Sequence, residues 1–246
     1  MSMRDRIGKP DVFGQAADVY ERSRPTYPPE AAAWLVPPFA TTVVDLAAGT
    51  GKFTRSLVEL GLDVIAVEPD AVMLATLADN LPGVRVVEGS AEHMPLPDDS
   101  ADVVTVAQAW HWVDAPLAER EIARVLRPGG SLGLVWNLRD DRVDWVRQLG
   151  EVMGGSEAEH YTRGSVVIGE PFGETEYFEV DWSMQTSADA LVELVASRSY
   201  IIAAEAEERE KIFAGVRDLV ATHPALAGRE TFELPYRTRC FKAQVT

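Results

Sequence analysis

The chain has 246 residues, 46% of them apolar and 25% charged, with a formal net charge of −16, the balance of a soluble globular protein long enough to bury a full core. So acidic a chain, with no Lys/Arg cluster to offset it, repels phosphate backbones, and no nucleic-acid partner is expected. No apolar run reaches 18 residues, Met1 to Arg6 lead into no apolar stretch, and the lone Cys240 cannot form an intrachain disulfide; these features predict no membrane span and a cytoplasmic, reducing setting.

Residues 1–13 carry no strong pattern. Phe13, Ala17 and Tyr20 are spaced to share a helix face, and Pro25, Pro28 and Pro29 end that segment. Glu30 to Leu35 predicts a helix before the first strand. Val43-Val44-Asp45-Leu46 then reads as a buried strand. It turns on Ala48, Gly49 and Gly51 into a helix with Phe53, Leu57 and Leu60 at helical spacing. A strand, a tight glycine turn and a helix start suit a nucleotide-like ligand. Glycine lets backbone approach it closely, and free N–H groups face it. A second strand, Asp63 to Val67, ends in Glu68, 19 residues after Gly49, the spacing at which an acid reaches ribose hydroxyls.

Two other nucleotide motifs fit less well. A dinucleotide fingerprint wants a third glycine where this chain has Thr54, and no Tyr is followed four residues later by Lys. A P-loop wants Ser or Thr after Lys52, where Phe53 stands. Further strands are expected at 84–88, within Asp98 to Ala107, at Ser131 to Asn137 after a Pro-Gly-Gly turn, at Glu174 to Trp182 and at Thr231 to Gln244. Helices are expected at 52–60, 71–80, 116–126, 140–153, 187–197 and 203–222. Alternating strands and helices imply a parallel doubly wound α/β sheet, with ligands at the strands' carboxyl ends. Asp45, Glu68, Glu92 and Gln108 fall there. One domain over 1–246 is expected, as a cap (1–41), a cofactor core (42–138) and the remaining sheet with pocket helices (139–246).

Asp45-Leu46-Ala47-Ala48-Gly49-Thr50-Gly51, Val67-Glu68-Pro69-Asp70, Gly89-Ser90-Ala91-Glu92 and Leu126-Arg127-Pro128-Gly129-Gly130 resemble successive motifs of the class I S-adenosylmethionine-dependent methyltransferases, in order and spacing. Tyr20 to Pro28 and Ala107 to Trp112 further resemble the trans-aconitate methyltransferase-like, small-molecule branch. The resemblance implies a Rossmann-like seven-stranded sheet with the last strand antiparallel, helices on both faces and helical additions over the pocket.

It also implies cofactor roles. Gly49 and Gly51, with Ala47, would admit the methionine part and ribose of S-adenosylmethionine. Asp45 would support that loop, and Glu68 would hold the ribose diol. Pro69 and Met73 would pack on the adenine, with Ala91 and Glu92 at its edge. The family often has Asp at the Glu92 position. Gln108 and Ala109 would lie under the methionine chain, with Tyr20 and Arg24 folded over it and Tyr27 beside the acceptor.

His111, between Trp110 and Trp112, is a candidate to orient or deprotonate an acceptor, with Trp112 as a wall; a structural His in an aromatic corner is the other reading. Arg139, then Arg198, are candidates for an acceptor carboxylate, and Tyr200 for the pocket. No metal is expected, because no His has another His or Cys within four residues. The acceptor is expected to be a small molecule, carboxylates among them. An NAD-dependent oxidoreductase and a module that holds S-adenosylmethionine without turnover are the alternatives.

Overall fold

A computed structural model describes residues 23–154 and 166–246. Tyr20 lies outside the described residues. In chain order the elements are α1 (Pro29–Leu35), β1 (Thr42–Leu46), α2 (Lys52–Glu59), β2 (Asp63–Glu68), α3 (Ala71–Asn80), β3 (Arg85–Glu88), β4 (Ala101–Ala107), α4 (Ala115–Val125), β5 (Leu126–Arg139), α5 (Asp144–Met153), β6 (Glu176–Thr186), α6 (Ala188–Ala196), α7 (Ser199–Ile202), α8 (Ala206–Thr222) and β7 (Phe232–Gln244). The sheet has seven strands in the order β3-β2-β1-β4-β5-β7-β6, with the last strand antiparallel. β1 pairs in parallel with β2 and β4, β2 with β3, and β4 with β5. The chain order reverses direction between β1 and β4, the switch point at which such sheets bind ligands. Among the described residues, no helix is long and apolar enough to cross a membrane.

The chain divides into two compact units. Among the described residues, the strand-rich unit comprises Thr26–Asn137, 166–180 and Thr238–Thr246; the helical unit comprises 23–25, 138–154 and Asp181–Arg237. In the strand-rich unit, Val43, Val44, Val103, Val104 and Leu132 are fully buried, as strands covered on both faces require. Tyr27, Ala31, Leu35, Phe53 and Leu57 form one core cluster there. Asp70 caps α3 by accepting from Val72 N and Met73 N, and Asp114 caps α4 by accepting from Leu117 N. In the helical unit, Trp145 and Leu149 of α5, Leu191 and Val195 of α6 and Val216 and Leu219 of α8 form a core with Leu234 and Tyr236.

Several boundaries differ from the sequence reading; β6 ends at Thr186 rather than Trp182, and three others have a visible cause or consequence. β5 begins at Leu126, not Ser131. Leu126 pairs with Ala101 and the register shifts across Pro128-Gly129-Gly130 before Ser131 meets Val103. The Pro-Gly-Gly signal therefore marks an irregularity inside an extended run, not its start. The helix expected from Asp140 begins at Asp144. Asp140 accepts from Arg142 N at 3.1 Å and from Arg142 Nε at 2.7 Å, which closes a turn there instead. The expected helix over 203–222 is preceded by the short α7, and α8 itself starts at Ala206.

Candidate active site

The site in the strand-rich unit is built at the carboxyl ends of β1, β2 and β4. Asp45, on β1, is fully buried. Its carboxylate accepts from Thr54 Oγ1 at 2.6 Å and Thr105 Oγ1 at 3.2 Å. Thr54 thus replaces the dinucleotide glycine with a hydroxyl that braces Asp45, one turn into α2. Burial outweighs these bonds and, with the Glu68 charge adding to it, raises Asp45 to about 7.

Glu68, at the end of β2, is 7% exposed. One carboxylate oxygen accepts from Gly49 N at 2.8 Å and the other from Asp70 N at 3.0 Å. The acid at the second strand's tip therefore holds the glycine turn directly. Each oxygen retains a second lone pair for a diol. Burial raises the Glu68 carboxyl above its usual range, against the two backbone N–H bonds.

The turn itself is left-handed at Ala47 (φ 56°), Gly49 (58°) and Gly51 (91°). A left-handed alanine is uncommon and is retained only where its surroundings over-determine it. The two glycines serve different ends. A Cβ on Gly49 would meet nothing within 4 Å among the described residues, so this backbone faces open space there. A Cβ on Gly51 would sit 3.0 Å from Leu77 Cγ and from Leu81 Cδ1. Gly51 therefore lets α2 start against α3. The close approach to a ligand expected of both glycines has its open space at Gly49.

Gln108, just past β4, is also left-handed (φ 61°). Its Nε2 donates to Asn137 O at 3.1 Å, tying the bend to β5. Asn137 was not expected to matter. Its amide is buried, donates to Thr26 O at 2.8 Å and accepts from Thr238 Oγ1 at 2.6 Å. A lone amide ending the apolar run Leu132–Trp136 was the available signal. Ala109 leads into the 3-10 turn Trp110–Trp112. His111 lies 4.6 Å from Trp112, ring centre to ring centre, and burial pulls it down to about 4. It is neutral near pH 7, so it can accept or donate a hydrogen bond but is a weak base.

Ala91 and Met73 are buried, whereas Pro69 and Glu92 are exposed. Glu92 Oε1 accepts from Asp114 N at 3.0 Å, which fixes that carboxylate to the start of α4. Tyr27 is buried edge-on to Phe53 at 4.9 Å, centroid to centroid. The remaining candidates lie in the helical unit. Arg24 donates from Nη2 to Ser197 O at 2.8 Å. Arg139, 6% exposed, donates to Met153 Sδ at 2.7 Å. Arg198 has a buried Nε that meets no hydrogen-bond partner among the described residues, and Tyr200 is half-buried.

The arrangement suits a cationic, ribose-bearing ligand. Two buried carboxyls stand at adjacent strand ends, one of them on the turn that leaves Gly49 open. Comparisons with known proteins agree. Residues 44–134 match the family described as methyltransferase domain. The chain is 52% identical over 231 residues to an uncharacterized methyltransferase of Mycobacterium bovis, covering 94% of each. It is 34% identical over 235 residues to an uncharacterized methyltransferase-like protein of Schizosaccharomyces pombe, covering 92% of each. Among solved structures, a protein assigned as a type II methyltransferase from Anaeromyxobacter dehalogenans superposes with a TM-score of 0.64 at 26% identity, over 90% of this chain and 96% of that one. The chain belongs to the class I S-adenosylmethionine-dependent methyltransferases.

Proposed function

We propose that this methyltransferase takes S-adenosylmethionine into the turn Ala47–Gly51 and methylates a small-molecule acceptor, with carboxylic acids the first class to try. The open backbone at Gly49, held by the Glu68 carboxylate, carries the cofactor part of the reading. When bound, S-adenosylmethionine would supply a sulfonium-activated methyl group, whose carbon an acceptor can attack in line while the C–S bond breaks and the neutral thioether leaves. In this reading Glu68 orients the ribose hydroxyls, and Asp45 fixes the turn through Thr54 and Thr105 and favours a nearby cation. Pre-set geometry of this kind can supply on the order of 7–11 kcal/mol. Neutral His111 orients an acceptor group by hydrogen bonding rather than removing its proton. The likeness to the trans-aconitate branch rests on the motifs at 20–28 and 107–112.

The net charge of −16 supports a small acceptor over nucleic acid, whose binding needs cationic neutralisation of phosphates. The test is turnover of methyl-labelled S-adenosylmethionine by the purified chain against a panel of small acids, phenols, amines, RNA and DNA. Label is expected in at least one small molecule and in neither polymer. Labelling of bulk RNA or DNA alone would overturn the acceptor class.

A further inference from the structure

The helical unit gathers three guanidiniums, those of Arg24, Arg139 and Arg198. Arg24 reaches the backbone of Ser197, the residue before Arg198, at 2.8 Å. Arg139, at the end of β5, is buried and close enough to bear on the Arg198 charge, as is Arg24. Arg198 Nε is itself buried and has no hydrogen-bond partner among the described residues. The other groups that act on Arg198 are the phenols of Tyr236 and Tyr200. Tyr236 is fully buried and stacks on Trp182 at 5.2 Å.

A guanidinium N–H left without a hydrogen bond in a buried place, as at Arg198 Nε, is costly, and like charges nearby add to the cost. The Arg198 guanidinium accordingly falls to about 10, by burial first and then by Arg24 and Arg139. Such an arrangement persists where a ligand completes it, because a guanidinium fork matches an oxyanion with two parallel hydrogen bonds.

We propose that the helical unit carries its own binding site for a small organic oxyanion, a carboxylate or a phosphate ester, centred on Arg198 with Arg24 and Arg139 beside it. Where the acceptor is a carboxylic acid the proposal deepens the acceptor reading above, and its test stays separable from that reading because it measures anion binding without methyl transfer.

The test is calorimetric titration of the full-length protein in moderate salt with succinate and with glycerol 3-phosphate, using succinamide and glycerol as neutral controls. The wild type should bind at least one anion and neither control, and the anion that binds identifies the group recognised. Arg198→Met should weaken that binding at least tenfold, and Arg198→Lys, which keeps the charge but loses the fork, should fall between. Without ligand, Arg198→Met should melt at or above the wild-type temperature, because it removes a buried N–H that meets no partner among the described residues and a charge beside two like charges. A residue that only held the fold together would give a lower melting temperature. Absence of binding by both anions, equal binding by Arg198→Met, or a lower melting temperature for that variant would overturn the proposal.

Discussion

Asp45→Asn should make the protein more stable at pH 8 by about 4 kcal/mol, and by almost nothing near pH 4. Asp45 ionises near pH 7 in the folded chain and near its ordinary 3.8 when unfolded, because burial disfavours its charge. Between those values the folded state holds a proton that the unfolded state has lost. Stability from this group is therefore fully present below pH 3.8 and declines as pH rises through 7. Asparagine has no charge to bury, so it removes that decline. Its amide keeps an acceptor for one of the two threonine hydroxyls and offers a donor to the other. The same change should weaken S-adenosylmethionine binding, a trade of function for stability often met at active sites. Denaturant melts of both proteins at pH 4, 6 and 8 give the comparison. A variant less stable than wild type at pH 8, or a difference that does not change with pH, would show that Asp45 is not the strained acid described.

Gly51→Val should destabilise the fold by about 3 kcal/mol, beyond any effect on ligand. Two costs combine. A left-handed backbone costs a residue with a Cβ roughly 1–2 kcal/mol, and forced packing costs typically 1–3 kcal/mol. The packing cost arises at Leu77 and Leu81, 3.0 Å from the added carbon. Gly49→Ala meets nothing among the described residues, so it should cost only the backbone term while narrowing the open face of the turn. Urea melts of the two variants, followed by cofactor titration of each folded protein, separate the roles. Wild-type stability in Gly51→Val would mean that the α2–α3 packing is misassigned.

That contrast shows how much of the site was legible in sequence. The strand, glycine turn and helix were readable because buried strands and amphipathic helices have distinct periods and Gly punctuates them. Glu68 was readable from its distance to Gly49. The division of labour between Gly49 and Gly51 was not, because it depends on where α3 packs, a tertiary fact. Thr54 read as a missing glycine; only the fold brings its hydroxyl to Asp45. Asn137 and Thr238 are 101 residues apart and meet only in three dimensions. Strand β5 was misread at its start because Pro-Gly-Gly is normally a terminator, whereas here Leu126 still pairs with Ala101. Arg139 and Arg198 look alike in sequence and differ in what surrounds each guanidinium.

The central claim is that Glu68 and the turn it holds form the cofactor site. Calorimetric titration of S-adenosylmethionine into the wild type and Glu68→Gln tests it most directly. Glutamine keeps the shape and one acceptor for the N–H groups of Gly49 and Asp70, but loses the charge and the second acceptor. Hydrogen bonds to a charged group are worth about 1.5–3 kcal/mol, so binding should weaken about 10- to 100-fold in a variant that still melts cooperatively. No binding by the wild type, or equal affinity in the folded variant, would contradict the account.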